Sequence, residues 1–342
     1  MQNLLDPAIL FFLFGVMAGL LRSNLEIPPP VSRFLSLYLL MALGLKGGFA
    51  LAHSGLTAEV AGSLGCAVLL AVAIPLAGYQ LLRRLVSPFD AAALAATYGS
   101  VSAVTFITAT QYLDTRQVGF GGHMAAAMAL MESPAIVMAV LMAGLVRGRL
   151  HATAVAGAGG HAPAHLPEAV RSEAVRGGAL PLGRILHDSL TDGAQLLLLA
   201  AMAIGLATGE AGKAAMQPFS GDLFRGMLAF FLLDMGLLAA RNLSSLRGTP
   251  ALLLGYAILG PLVHAAAALG LARLAGLGPG NATLLMVLGA SASYIAVPAA
   301  LRYAIPEANP SLYFGLSLGV TFPLNILFGI PLYAAAAAGL AG

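Results

Sequence analysis

The sequence predicts an all-α integral membrane protein with ten transmembrane helices, arranged as two inverted five-helix repeats with a discontinuous helix in each repeat. Three observations support this prediction. Hydrophobic residues make up 59% of the chain and charged residues only 9%, which places it outside the composition of soluble domains. Apolar runs of membrane-spanning length recur along the whole chain. Two segments in corresponding positions of the two halves look like copies of one element.

The predicted spans are helices, because long uninterrupted apolar runs lack the alternating polarity of transmembrane strands. They lie near residues 5–22, 31–53, 58–82, 90–113, 119–146, 191–209, 219–240, 250–274, 281–303 and 310–338. No basic residue precedes the first run and no small-residue cleavage site follows it, so it is interpreted as a retained helix. The G-x-x-x-G spacings Gly15/Gly19 and Gly44/Gly48 predict close helix packing.

Basic residues are distributed unequally between the predicted loops. One side of the ten-span topology carries Arg22, Arg33, Arg83, Arg84, Arg147, Arg149, Arg171, Arg176, Arg184, Arg241, Arg247 and Arg302. The other side carries Arg116, Lys213, Arg225 and Arg273. Because short cytoplasmic loops are enriched in Lys and Arg, the first side is predicted to be cytoplasmic, with both termini outside a cell (inner) membrane. The charge pattern gives no support for nucleic-acid binding.

The predicted organisation is a first repeat at residues 1–146, a cytoplasmic linker at 147–189 and a second repeat at 190–342. The linker is rich in Ala, Gly, His and Arg, and it is interpreted either as a flexible connection or as a docking surface for a cytoplasmic regulator. Its four histidines have no regular metal-binding spacing, so no metal site is predicted there.

The repeat is clearest in Asp90–Thr105 and Asn281–Ala296. Each segment begins with Asp or Asn followed by Ala and reaches an S-x-S centre at the same internal spacing. Three further pairs of segments match in the same order: Leu13–Leu20 with Leu199–Leu206, Leu43–Gly48 with Met235–Ala240, and Met131–Ile136 with Val320–Asn325. Because five helices per repeat is an odd number, the second copy enters the membrane from the opposite side, which makes the repeat inverted.

The S-x-S centres are candidate binding elements. A helix that breaks at such a centre frees N–H groups and hydroxyls that need partners in a medium without water. Two breaks that meet would direct half-helix N-termini at one spot, which suits a small oxyanion. The candidate binding residues are Gly99, Ser100, Ser102, Ser291 and Ser293. Alternatively, the hydroxyls bond back to their own helices or mediate tight packing.

Ionisable residues inside predicted spans are functional candidates, because each is costly in hydrocarbon. Glu132 lies two residues before Pro134, which frees a carbonyl oxygen, and this combination suits either a Na⁺ site or proton transfer. Lys46 and Asp234 occupy nearly equivalent places in the two copies, so they are interpreted as a structural ion pair or as gating residues.

Motifs of enzymes and ATP-driven pumps are missing from the sequence. We find no Walker motif, no dinucleotide-binding fingerprint and no nucleophile constellation. The sequence therefore predicts neither a membrane enzyme nor an ATPase, and no cofactor is expected.

Four motifs carry a family resemblance: Gly44–Leu51, Tyr98–Thr105, Glu132–Val137 and Pro298–Ser311. On these motifs the chain resembles the sodium-dependent bicarbonate transporters of the SbtA type along nearly its whole length. The resemblance implies a gate domain and a mobile core domain, elevator-type Na⁺/bicarbonate symport and a homotrimer. It also implies a small PII-like regulatory protein that binds from the cytoplasm.

The resemblance assigns roles to residues at the crossing of the two broken helices. The substrate would bind Ser100, Ser102, Ser291 and Ser293, and the cation would bind Thr105, Glu132 and Tyr294. Glu132 matches a family Asp and keeps the carboxylate. Two departures stand out: S-A-S-Y-I-A-V-P places Tyr294 where the family has an Asp, and A-V-T-F replaces G-S-T-M around Thr105. Losing an Asp removes a hard oxygen ligand for Na⁺.

The expected function is therefore secondary active transport, with Na⁺-dependent bicarbonate uptake as the first candidate. The alternatives within transport are a Na⁺- or proton-coupled symporter for another small anion or carboxylate. An alternative from a different class is a transport-inactive membrane sensor that binds a cytoplasmic regulator through its linker.

Overall fold

The polypeptide is built from helices throughout the part that the structure describes. The computed structural model describes residues 6–55, 57–157, 193–246 and 248–339, and no strand occurs in these ranges. The helices are α1 (Pro7–Leu20), α2 (Pro29–Ser54), α3 (Ala58–Leu82), α4 (Pro88–Gly99), α5 (Ala103–Thr115), α6 (Met124–Gly157), α7 (Gly193–Gln217), α8 (Leu223–Asn242), α9 (Ala251–Leu274), α10 (Pro279–Ala290), α11 (Ala296–Ala304) and α12 (Pro310–Ala338). Residues 158–192, which contain most of the predicted linker, lie outside the described ranges.

Short local signals set the beginnings of these helices. Proline occupies the first turn of α1, α2, α4, α10 and α12, where its missing N–H costs no helical hydrogen bond. Side chains cap several of the same ends: Asp6 accepts from the Ala8 N–H at 2.8 Å, and Ser87 accepts from the Asp90 N–H at 3.1 Å. Single π-turns interrupt α12 at Ser317–Thr321 and Asn325–Gly329.

Seven segments of the described chain are long and apolar enough to cross a membrane. They are Pro29–His53, Ala58–Leu82, Pro88–Thr115, Met124–Arg147, Leu196–Asn242, Ala251–Leu274 and Pro310–Ala338. Leu196–Asn242 contains α7 and α8, which the sequence predicts as two separate spans, and α1 and α10 are shorter apolar helices. The predicted all-α membrane class is confirmed, while the count of ten spans stays a prediction.

Close glycine contacts hold one group of helices together. In this group α1 packs against α8, and α2 packs against α7. A Cβ atom has no room at Gly15, where the Leu233 carbonyl of α8 lies, or at Gly48, where the Met202 carbonyl of α7 lies. The close packing predicted from the G-x-x-x-G spacings is thus confirmed.

The other group surrounds two buried half-helices. α4 packs against α3 and α6, and α10 packs against α9, α3, α5 and α12. Every residue from Ala91 to Gly99 in α4 and from Gly280 to Ala290 in α10 is buried. A helix that is buried on all sides belongs to the centre of its bundle. The two segments that resemble each other in sequence therefore form the interior of this group.

Candidate functional site

The first S-x-S centre is a break between α4 and α5. Helix α4 ends at Gly99, and Ser100 and Ser102 are extended, with φ/ψ of −96°/−176° and −102°/109°. Gly99 is required here because the ring of Pro75, from α3, occupies the space of a Cβ. The Ser102 hydroxyl oxygen then starts α5 by accepting from the Thr105 N–H at 3.2 Å.

The second S-x-S centre is a break between α10 and α11. Helix α10 ends at Ala290, and Ser291 is extended at φ/ψ of −80°/163°. Asn325 of α12 donates to the Ala290 carbonyl at 2.8 Å, which satisfies one of the free acceptors of the helix end. The Ser293 hydroxyl oxygen accepts from the Val297 N–H of α11 at 3.3 Å. Both predicted breaks therefore occur at the serines.

The two breaks touch and satisfy each other's backbone groups. The Ser102 N–H donates to the Ser291 hydroxyl oxygen at 3.1 Å, and the Ser293 N–H donates to the Thr97 carbonyl at 2.9 Å. The Ser291 hydroxyl in turn donates to the Leu288 carbonyl of its own helix at 3.0 Å. In a bilayer interior these bonds replace the water that free backbone groups would otherwise need.

The structure brings all five predicted substrate residues together at this contact. They are Gly99, Ser100, Ser102, Ser291 and Ser293, and each is buried. The Ser100 hydroxyl is fully buried and has no hydrogen-bond partner among the described residues. Ser291 also follows the alternative interpretation, because it bonds back to its own helix. The binding roles stay predictions.

The predicted cation residues separate into two places. The Thr105 hydroxyl donates to the Ser102 hydroxyl oxygen at 3.0 Å, so Thr105 lies in the first break. Tyr294 is buried in the second break, where its ring meets the edge of Phe322 with centroids 5.2 Å apart. Its hydroxyl lies near Ser102 but makes no hydrogen bond in the described structure. Glu132 is half-buried on α6, which packs against α4 and α11.

Acidic and imidazole ligands are not clustered around these residues. The described part of the chain contains no group of three or more His, Cys, Asp or Glu residues that could hold a metal ion. A Na⁺ site at the breaks would therefore depend largely on hydroxyl and carbonyl oxygens.

A large cavity lies beside the breaks. Its volume is about 1070 Å³, and it lies between α2, α7 and α8 on one side and α5 with the start of α6 on the other. Polar groups from both sides line it, among them Lys46, Thr110, Gln111 and Arg225. Its lining includes Phe106, the residue after Thr105, but none of the S-x-S serines. The cavity thus comes close to the first break without exposing the predicted site.

The interpretation of Lys46 and Asp234 as an ion pair is wrong. The Lys46 ammonium lies 3.7 Å from a carboxylate oxygen of Asp114 on α5 and 4.2 Å from the ring centroid of Phe224 on α8. Asp234 instead accepts a hydrogen bond from the Ser32 hydroxyl. Similar positions in two matching sequence segments do not bring residues into contact, because the contacts depend on how the helices pack.

Sequence reasoning missed two residues that hold the breaks. Thr97 contributes through its backbone carbonyl, which no side-chain pattern indicates. Asn325 has a detectable signal: it is an amide inside the last apolar span, and such a group needs hydrogen-bond partners in a membrane. Its side-chain oxygen also accepts from the Tyr333 hydroxyl at 2.8 Å.

Long apolar helices whose interior holds two touching polar breaks define a multi-pass membrane protein. A family model of the Na⁺-dependent bicarbonate transporter superfamily matches residues 7–338, nearly the whole chain. The chain therefore belongs to this superfamily, and the protein is a transporter and not an enzyme. Comparison with curated proteins gave no match.

Proposed function

We propose that the protein is a secondary active transporter that takes up bicarbonate together with Na⁺ across the inner membrane. The observation that carries the proposal is the contact between the two breaks, where α5 begins directly after Ser102 and α11 begins at Ala296, shortly after Ser293. Helix N-termini carry partial positive charge and free N–H groups, which favour an anion. Superfamily membership supports bicarbonate and Na⁺ as the transported species.

The proposed substrate site is formed by Gly99, Ser100, Ser102, Ser291 and Ser293. Hydroxyl groups suit bicarbonate because they donate to its oxygens and accept from its own hydroxyl. The unpartnered, fully buried hydroxyl of Ser100 is available for such a bond. Bicarbonate would displace the Ser102–Ser291 bond, whose two groups would then bind the anion.

The proposed cation site uses Thr105, Glu132 and Tyr294. Thr105 and Tyr294 lie beside the substrate site, and a carboxylate on α6 would join them once the helices rearrange. Tyrosine supplies a neutral oxygen where the resembled family has a charged one, so we propose that Na⁺ binds more weakly here.

The proposed mechanism is an elevator movement of α3–α6 and α9–α12 against a gate formed by α1, α2, α7 and α8. The close-packed glycine contacts of the gate helices and the cavity between the two groups support this division. The proposal includes the inverted repeats at 1–146 and 190–342, a linker at 147–189, both termini outside, a homotrimer and a PII-like cytoplasmic partner. These features rest on the sequence pattern and the family resemblance.

Transport by purified protein in proteoliposomes tests the proposal. We expect uptake of labelled bicarbonate to require an inward Na⁺ gradient and to collapse when the gradient is dissipated. Uptake driven by a proton gradient alone would show that the coupling ion is H⁺ and not Na⁺. Absence of uptake for bicarbonate and small carboxylates, with the protein folded, would contradict the transport of these anions.

A further inference from the structure

Asp90 and Asn281 occupy the same position in the two segments that resemble each other. Each is the third residue of the half-helix that precedes a break, counted from Pro88 in α4 and from Pro279 in α10. The proposed substrate and cation sites use neither residue, because each lies nine or more residues before its serines. Their side chains nevertheless make closely similar contacts.

Asp90 connects the start of the first broken helix to the end of the second. One carboxylate oxygen accepts from the backbone N–H of Asn309 at 2.7 Å, and the other accepts from the Ser87 hydroxyl at 2.7 Å. Asn309 follows α11 and caps α12. The bond to Asn309 thus joins α4 to the segment in which the second broken helix ends.

Asn281 makes the reciprocal connection. Its side-chain oxygen accepts from the backbone N–H of Gly121 at 2.7 Å, and its amide donates to Glu59 at 2.8 Å. Gly121 lies in the loop between α5, which ends at Thr115, and α6, which begins at Met124. The bond to Gly121 therefore joins α10 to the loop that follows the first broken helix.

We propose that Asp90 and Asn281 are a pair of positioning residues that hold the two broken helices in one register. This inference rests on the proposed function, because the register matters for the substrate site. Two broken helices that touch only at their midpoints can rotate relative to each other about that contact. With a bond at each end as well as the Ser102–Ser291 contact in the middle, the rotation is blocked and the serines stay opposed.

The two residue types fit their surroundings. The Asp90 bond is exposed, where water weakens a neutral bond, and the carboxylate makes it charge-assisted and short. Asn281 is buried, where a neutral amide is far cheaper to bury than a carboxylate. The same position therefore carries Asp at the exposed end and Asn at the buried end.

A second contact reinforces each of the two connections. The guanidinium of Arg147 makes a bidentate pair with Glu307 at 2.8 and 2.7 Å, which fixes the loop that contains Asn309 to α6. At the other end, Gly280 of α10 lies directly on the Gly119 carbonyl, and a Cβ there has no room. Both loops are thus fixed close to the residue that Asp90 or Asn281 binds.

Hydrogen exchange at the breaks tests the inference, with a matched control. Asp90→Ala and Asn281→Ala remove the two connections, while Ser87→Ala removes the local cap of α4 and keeps the Asp90–Asn309 bond. In the full-length protein in nanodiscs, we expect peptides containing Ser102 and Ser293 to exchange about tenfold faster in the first two variants, as expected for loss of one strong hydrogen bond. Asp90→Asn, which keeps an acceptor oxygen but loses the charge, should give an exchange rate between those of Asp90→Ala and the wild type.

Bicarbonate uptake gives the second readout. We expect Asp90→Ala to raise the KM about tenfold with a smaller change in kcat, and Ser87→Ala to leave the KM unchanged. Unchanged exchange at the breaks in both alanine variants, or an equal change in Ser87→Ala, would overturn the positioning role. If the wild-type protein transports no bicarbonate, the proposed function fails, but the exchange measurement still decides whether these residues hold the breaks together.

Discussion

The backbone N–H of Ser102 donates to the hydroxyl oxygen of Ser291 across 3.1 Å, and this bond joins the two S-x-S centres of the chain. The two residues are 189 positions apart in the sequence, and both are buried. A backbone N–H that donates to a side-chain hydroxyl can change its acceptor, because an anion oxygen can take the place of the hydroxyl. The bond therefore both closes the breaks in this structure and marks the groups proposed to bind bicarbonate.

Ser291→Ala should weaken both folding and transport. The substitution leaves the Ser102 N–H buried without its acceptor, which costs about 1–3 kcal/mol of unfolding free energy. Thermal unfolding and the initial rate of bicarbonate uptake measure the two effects. Thr283→Ala is the matched control, because Thr283 is a buried residue of α10 whose hydroxyl bonds only within its own helix, at Pro279. Equal effects of both substitutions would contradict a special role for Ser291.

Asp114→Asn should loosen the contact between α5 and α2. The Lys46–Asp114 pair is the ion pair that links the proposed gate to the proposed core in the described structure, and both side chains are partly exposed at 34% and 40%. We therefore expect a modest effect of about 1 kcal/mol or less, enough for a shift of up to about fivefold between gate–core arrangements. Spin-label distances between α2 and α5 measure this shift.

The Glu210–Lys213 pair provides the control for that experiment. It lines the same cavity, lies within α7 and is more exposed, at 68% and 54%. Glu210→Gln should leave the distance distribution between α2 and α5 unchanged. A shift as large as that of Asp114→Asn would show that the cavity responds to its total charge and not to the link between the two groups.

Tyr294→Asp should make the stability of the protein depend on Na⁺. A carboxylate at this buried position is costly without a counter-charge, and Na⁺ would offset that cost by binding to it. We expect a lower Tm than wild type without Na⁺ and a larger rise in Tm on adding Na⁺. Tyr294→Phe, which removes only the hydroxyl, should show no such rise. If the Tm of Tyr294→Asp does not change with Na⁺, the assignment of Tyr294 to the cation site is contradicted.

The Arg147–Glu307 pair should make stability depend on pH in the acidic range. The hydrogen bond from Arg147 lowers the pKa of Glu307 below its usual value. The pair therefore stabilises the fold above the unfolded pKa of about 4.3, and this contribution is lost as the pH falls through the lower folded pKa. Because Glu307 is exposed, we expect at most about 1 kcal/mol.

Comparison of the wild type with Glu307→Gln isolates the contribution of the Arg147–Glu307 pair to the free energy of unfolding. The difference in unfolding free energy should be present at pH 6 to 7, should fall once the pH drops below the unfolded pKa of about 4.3, and should vanish below the lowered folded pKa. A difference that stays constant over this range would mean that the pair acts through packing and not through charge.

The sequence predicted the positions of both breaks because the signal is local. Gly99 and the first pair of serines are neighbours in an uncharged stretch of the chain, and the Ser102 hydroxyl caps the helix that follows it. In the second break the Ser293 hydroxyl oxygen accepts from the Val297 N–H of the following helix. Contacts between helices left no such signal. Lys46 was paired with the wrong carboxylate, because its true partner Asp114 lies on a helix whose rotation and depth depend on the packing of the whole bundle.

The cavity could not be predicted from the sequence either. It arises from the gap between two groups of helices, and the residues that line it come from distant parts of the chain. The sequence predicted that the two S-x-S centres meet, but not that the Ser102 N–H would donate to the Ser291 hydroxyl oxygen. Asp90 and Asn281 are a further example, because their side-chain types alone do not specify that they bind the backbone N–H groups of Asn309 and Gly121.

A structure of the protein in nanodiscs with Na⁺ and bicarbonate is the most direct test of the proposed substrate site. We expect density for the anion between Ser102 and Ser293, with the Ser102–Ser291 bond opened and both helix N-termini directed at the ligand. Bicarbonate bound instead in the cavity beside Lys46, with that bond intact, would contradict the assignment of the S-x-S serines as the substrate site.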